Sequence, residues 1–96
     1  LLKYMKEIEI SLKYCHQNGI FHRDVSPNNI ILYGSPTKPM LIDFELSCKS
    51  DNSVSNGFVG TYACSSIMQL IHYKHKKPFK YRKRDDFESL YYSTLF

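Results

Sequence analysis

A chain of 96 residues can form one small domain at most, because a chain this short buries only about two-thirds of its unfolded surface. Hydrophobic content of 43% argues against wholesale disorder, and neither a signal-peptide pattern nor a run of about 18 apolar residues points to secretion or a membrane. The formal charge of +4 is unevenly spread: seven of the thirteen Lys and Arg lie between Lys74 and Arg84, so the rest of the chain is mildly acidic.

Residues 1–18 read as a helix, because Leu1, Tyr4, Met5, Ile8, Leu12 and Cys15 recur on one face. Gly19 supplies the left-handed position that commonly closes a helix. Ile20-Phe21-His22 leads into a polar loop from Arg23 to Asn29. Ile30–Tyr33 and Met40–Ile42 read as two strands of a hairpin whose loop, Gly34–Pro39, is about six residues long. Residues 47–57 are polar, rich in Ser and Asn, and expected to be mobile. A weak helical pattern runs from Gly60 to His72, with Ile67, Leu70 and Ile71 as its core contacts. The basic stretch 74–84 follows, broken by Pro78. A final helix begins near Asp85, with Asp85, Asp86 and Glu88 in the first turn, where the helix dipole favours negative charge. Phe87, Leu90, Tyr91 and Phe96 are expected to face a core. Cys15, Cys48 and Cys64 are odd in number and lack a C-x-x-C pair, which fits reduced thiols and a cytoplasmic or nuclear setting. Neither Cys15-His16 nor His72/His75 has zinc-site spacing. Leu1 is not a methionine and the last residues are apolar, so both ends are read as cut.

The chemistry concentrates in His22-Arg23-Asp24-Val25-Ser26-Pro27-Asn28-Asn29 and in Asp43-Phe44-Glu45. A carboxylate and an amide stand five residues apart on one loop, and a second carboxylate follows nineteen residues after the first, past two short strands. Phosphoryl transfer from a metal-bound nucleotide wants such a set: one Asp to position and deprotonate the acceptor hydroxyl, an Asn and an Asp to give oxygen ligands to Mg²⁺. Loop capping alone would also use Asp and Asn, but not at this joint spacing.

These motifs resemble the eukaryotic protein kinase superfamily, and within it the fungal-type kinases and the casein kinase one group. His22-Arg23-Asp24 with Asn29 fits H-R-D-x-x-x-x-N at every fixed position. The resemblance implies an α+β fold: a partial C-terminal kinase lobe made of helix, catalytic loop 22–29, β-hairpin, metal-binding motif 43–45, activation segment about 43–67 and a central helix from about 85, with the N-lobe absent. It implies Asp24 as catalytic base, Asn29 and Asp43 as Mg²⁺ and ATP ligands, and Thr61 of Gly60-Thr61 as the threonine that contacts the catalytic Asp. His22, Arg23 and Asp86 are implied as structural support, Asp86 by holding the catalytic loop through backbone hydrogen bonds. Arg23 is left open between a phosphorylated residue and a nearby carboxylate as its partner. The cofactors implied are ATP and Mg²⁺, and the substrate a protein Ser or Thr hydroxyl.

Three departures stand out. Ser26 replaces the usual Lys, removing a cation from the transferred phosphate. Glu45 replaces the Gly of D-F-G, which normally permits φ > 0 there. The basic stretch lengthens the interval from Thr61 to Asp86 relative to casein kinase one. That stretch reads as a solvated loop, as a nuclear-import or nucleic-acid patch, or as a site for acidic or pre-phosphorylated substrates; no base-stacking fold is evident, which disfavours nucleic acid. No Gly-rich phosphate loop and no V-A-I-K lysine occur in the 96 residues, so the chain alone is expected to be inactive. Two rival functions remain. Ile42-Asp43-Phe44-Glu45 also matches small-molecule phosphotransferases of the aminoglycoside and choline type, against which stand His22-Arg23, Gly60-Thr61 and Asp85–Leu90. Ser26 and Glu45 also fit a non-catalytic pseudokinase or interaction fragment.

Overall fold

The computed structural model describes residues 2–95. Leu1 on the first helix face and Phe96 against a core lie outside the described residues. Helix α1 spans Leu2–Gln17, and its apolar periodicity buries Ile8 and Leu12 while Met5 packs beside them. Gly19, at φ 73°, turns the chain out of the helix. Strand β1 (Ile20–Phe21) follows, then the loop carrying residues 22–26 and a 3₁₀ turn over Pro27–Asn29.

Strands β2 (Ile30–Tyr33) and β3 (Lys38–Leu41) pair antiparallel, Ile30 opposite Leu41 and Tyr33 opposite Lys38. The connecting loop is therefore residues 34–37, shorter than the six expected, because Lys38 and Pro39 join the strand. Proline is tolerated there because each strand of a two-stranded ribbon is an edge, and its missing N–H can face outward. Stretch 47–57 carries two strands rather than a free loop: β4 (Cys48–Lys49) pairs with β1, and β5 (Val54–Ser55) pairs with β6 (Phe79–Lys80). Ser53 is buried there and its carbonyl accepts from the Tyr81 N–H at 3.0 Å.

The helical pattern expected from Gly60 resolves into a 3₁₀ turn at Tyr62–Cys64 and helix α2 over Ile67–Lys74. Ser66 caps α2 by accepting from the Gln69 N–H. Its apolar residues do not supply its core face. Ile67 is 57% and Ile71 45% exposed, Leu70 is half-buried, and Gln69 is the buried residue. The reason is local bonding: Gln69 Nε2 donates to the Val59 carbonyl at 2.8 Å and Oε1 accepts from Ser65 Oγ at 3.1 Å, tying the preceding loop to the helix. Helix α3 runs from Lys83 to Ser93, two residues earlier than expected. The Asp85 carboxylate accepts from the Arg82 N–H at 2.8 Å and so sets the start at that residue. Leu90 is buried and Phe87 half-buried as expected, but Tyr91 is exposed.

Two clusters form the interior. Ile8, Leu12, Val25, Leu41 and Leu90 join α1, the loop, β3 and α3. Phe21, Phe79 and Tyr81 form the second, with Cys48 beside them. Cys15, Cys48 and Cys64 are free thiols, and burial raises the pKa of Cys15 and Cys48. No helix among the described residues is long and apolar enough to cross a membrane.

Burial also raises the pKa of Asp85 from its ordinary 3.8, against the opposing pull of the Ser66 hydroxyl and the Arg82 N–H. The folded chain thus holds this proton to higher pH than the unfolded chain, and the Asp85 contribution to stability falls as pH rises through that interval. Asp85→Asn keeps an acceptor for Arg82 and removes the buried charge. Its stability relative to the parent is expected to improve between pH 3 and pH 7, as read by urea melts at both values.

Candidate active site

Residues 22–29 leave β1 and wrap past the end of β3. His22 is fully buried. Its Nδ1 accepts from the Asp24 N–H at 3.1 Å, so Nε2 carries the proton and donates to the Ile42 carbonyl at 2.9 Å. This neutral ring also meets Phe44 edge to face at 4.6 Å. Asp24 is held at both carboxylate oxygens: Oδ1 accepts from Thr61 Oγ1 at 2.8 Å and Oδ2 from Asn29 Nδ2 at 3.0 Å. Asn29 Nδ2 donates also to the Asp24 carbonyl at 2.8 Å. Its amide nitrogen is thereby committed, leaving Oδ1 as the atom able to ligate a cation.

Asp43 is brought alongside by its neighbour. The Ile42 N–H donates to the Asn29 carbonyl at 2.8 Å, while the Ile42 carbonyl serves His22. No hydrogen bond joins the Asp43 side chain to Asp24 or Asn29 among the described residues; its Oδ1 accepts from the Glu45 N–H at 3.3 Å. Asp43 takes the left-handed conformation at φ 60°, as does Arg23 at φ 71°. Glu45 does not, so the left-handed residue stands two positions earlier than the D-F-G comparison suggests, and the lost glycine costs no backbone strain at position 45. Asp tolerates that conformation better than most residues.

Beneath the loop, Asp86 has no solvent exposure. Its Oδ2 accepts from the His22 N–H (3.0 Å) and His16 Nε2 (2.8 Å), its Oδ1 from the Arg23 N–H (3.0 Å) and the Tyr81 hydroxyl (2.8 Å). Burial first, and then the Asp86 charge, push the Tyr81 pKa far above its ordinary value and keep that hydroxyl a donor. The backbone bonds to His22 and Arg23 were expected of Asp86. His16 and Tyr81 were not read as its partners, since a lone His on a helix and a Tyr among lysines carry no local signal. Among the described residues no carboxylate pairs with Arg23; its Nε donates to the Leu46 carbonyl at 2.7 Å.

The donor set fits Mg²⁺ as a hard cation: an amide oxygen and a carboxylate, with the remaining positions left to water and phosphate oxygens. No group of three His, Cys, Asp or Glu side chains able to enclose a metal occurs among the described residues, so Asn29 and Asp43 would hold the ion only together with its nucleotide.

A family model for the protein kinase domain matches residues 1–82, and the chain belongs to the protein kinase family. The match ends before α3. Over 59 residues the chain is 42% identical to "Serine/threonine-protein kinase D" of Synechocystis sp., which covers 53% of this chain and 12% of that protein. Over 79 residues it is 40% identical to "Calcium/calmodulin-dependent protein kinase type II" of Caenorhabditis elegans, covering 77% of this chain and 11% of that protein. The matched stretches thus span only about a tenth of these relatives' lengths. Kinases of this family use ATP and Mg²⁺.

Gly60 fixes how Thr61 meets Asp24. At φ 112° it sits where a Cβ would lie 2.6 Å from the Arg23 carbonyl oxygen. Gly60→Ala is expected to cost about 1–3 kcal/mol in strain and to pull Thr61 from Asp24. A matching drop in denaturant midpoint would be the check; an unchanged midpoint would mean the loop yields freely.

Proposed function

We propose that this chain carries the catalytic loop (22–29), metal-binding motif (43–45) and activation segment (about 43–67) of a serine/threonine-type protein kinase C-terminal lobe, with α3 as the start of its central helix. The observation that carries the reading is the pair of bonds on Asp24, from Thr61 and Asn29, 37 and five residues away.

In this reading Asp24 orients a protein Ser or Thr hydroxyl and accepts its proton. Thr61 fixes Oδ1 against rotation, and Asn29 fixes Oδ2. The Asn29 amide oxygen and the Asp43 carboxylate would hold Mg²⁺ and with it ATP. Bound Mg²⁺-ATP supplies the transferable phosphoryl group and neutralises its charge. His22 and Arg23 keep the loop's backbone on Asp86. Ser26 is buried at 2% exposure and brings no cation to the phosphates, so charge stabilisation falls more heavily on the metal. Substrates that are acidic or already phosphorylated suit the basic stretch 74–84.

In the full-length protein, Asp24→Asn is expected to lower kcat roughly 10²–10⁴-fold with ATP affinity little changed. A peptide library and an amino-alcohol panel assayed together identify the acceptor; transfer to amino alcohols alone, or full activity in Asp24→Asn, would sink the reading. The 96 residues alone contain no glycine-rich loop or strand lysine to cover the nucleotide. Calorimetry on them is expected to show no tight Mg²⁺-ATP binding.

A further inference from the structure

Helix α2 buries an amide although apolar side chains stand beside it. Gln69 is 3% exposed, while Ile67 and Ile71 of the same short helix face outward. Apolar burial is non-directional and holds a helix without fixing any one atom, whereas an amide bonded at both its atoms fixes direction and distance together. The orientation of the Gln69 amide follows from its partners. The Val59 carbonyl only accepts, so Nε2 faces it at 2.8 Å, and Oε1 is left to accept from the Ser65 hydroxyl at 3.1 Å. The Gln69 N–H bonds Ser66 Oγ at 3.3 Å.

This tether ends beside the contact on which Asp24 depends. Val59 stands two residues before Thr61, and Gly60 between them passes so close to the loop that a Cβ would lie 2.6 Å from the Arg23 carbonyl oxygen. Past that point the Thr61 carbonyl accepts from the Cys64 N–H at 3.1 Å. The segment is therefore held on both sides of the Thr61 side chain, by Gln69 before it and by the 3₁₀ turn after it. Helix α2 is itself fixed on α3: Glu88 Oε2 accepts from the Ile67 N–H and from the Tyr92 hydroxyl, each at 2.8 Å. Glu88 lies two residues beyond Asp86, which holds the His22 and Arg23 N–H groups. One helix thus carries the reference for both partners. Asp86 sets the loop bearing Asp24, while Glu88, through α2 and Gln69, sets the segment bearing Thr61. The 2.8 Å bond from Thr61 Oγ1 to Asp24 Oδ1 joins the two routes.

We propose that Gln69 is a positioning residue for phosphoryl transfer: by holding the Val59 carbonyl, it fixes the backbone from which Thr61 orients Asp24. Gln69 touches neither Asp24 nor Asn29 through any hydrogen bond among the described residues, so it acts through Thr61 and not on the acceptor hydroxyl. This role rests on the catalytic reading of Asp24 above and names a residue that the motifs of that reading do not contain.

The test uses the full-length protein carrying this chain and a Ser or Thr peptide, at a temperature where circular dichroism shows each variant folded. Gln69→Met keeps the size of the side chain and removes both amide bonds. It is expected to lower kcat at least about tenfold, because a misplacement of about 1 Å is enough for a loss of that order, with the KM for ATP unchanged. Ser65→Ala leaves Gln69 in place and frees one end of its amide; it is expected to lower kcat about threefold, and it decides the matter if Gln69→Met does not fold. A merely structural side chain would add its effect to any other, so each variant is repeated with Thr61→Ala. There the further loss in kcat is expected to shrink to less than about twofold. Losses that multiply in the double variants, a KM for ATP that rises as kcat falls, or parental kinetics in the single variants overturn the role of Gln69. Full activity in Asp24→Asn overturns the catalytic reading and this role with it; Asp24→Asn impaired while Thr61→Ala is not overturns this role alone.

Discussion

A carboxylate sealed from water at the foot of the catalytic-type loop is the constraint on which the other contacts depend. Asp86 has no exposed surface, and a buried charge without partners costs several kcal/mol. It is tolerated because four donors converge on it, from the end of α1, from two backbone N–H groups of the loop and from the run before α3. Every partner is a donor, so the side chain that meets them all is the ionised one. Three of these bonds tie residues 16–23 to Asp86, 63 to 70 residues away in sequence. Beside the carboxylate, the His16 ring lies edge to face with Phe21 and Phe87 at 5.6 and 5.1 Å, so the polar anchor is continuous with the apolar packing.

Anchoring of this kind explains how strain survives in the loop above. Arg23 and Asp43 are both left-handed without being glycine, and each such residue costs on the order of 1–3 kcal/mol. Arg23 is held by its N–H on Asp86 and its Nε on Leu46. Asp43 follows Ile42, whose N–H and carbonyl are both bonded to the loop. Gly60 lets the activation-type segment approach the Arg23 carbonyl closely enough for Thr61 to reach Asp24. The geometry around Asp24 is thus fixed by the fold itself.

Helix α2 shows where reading from pattern fails. Ile67 and Ile71 have helical spacing and an apolar character, yet they face outward while Gln69 is buried. Periodicity reports a face only when burial is driven by apolar area; here the inward face is chosen by hydrogen bonds to Val59 and Ser65, which lie outside the helix. The polar stretch 47–57 misleads similarly. Its residues have poor strand propensity, but β1 and β6 offer pairing partners that only the folded chain brings near.

What the sequence determined by itself was local and chemical. The α1 face, the β2–β3 hairpin and the Gly19 turn are legible, because spacing along the chain encodes helix faces and strand runs directly, whereas the contact of Thr61 with Asp24 was expected only from a motif resemblance. The tertiary structure alone decided which groups meet across long separations: His16 on Asp86, Arg23 on the Leu46 carbonyl, and the Tyr81 N–H on the Ser53 carbonyl. Hydrogen bonds and charge contacts act over about 3 Å, and no local signal in the sequence says which distant donors and acceptors a fold will carry within that reach.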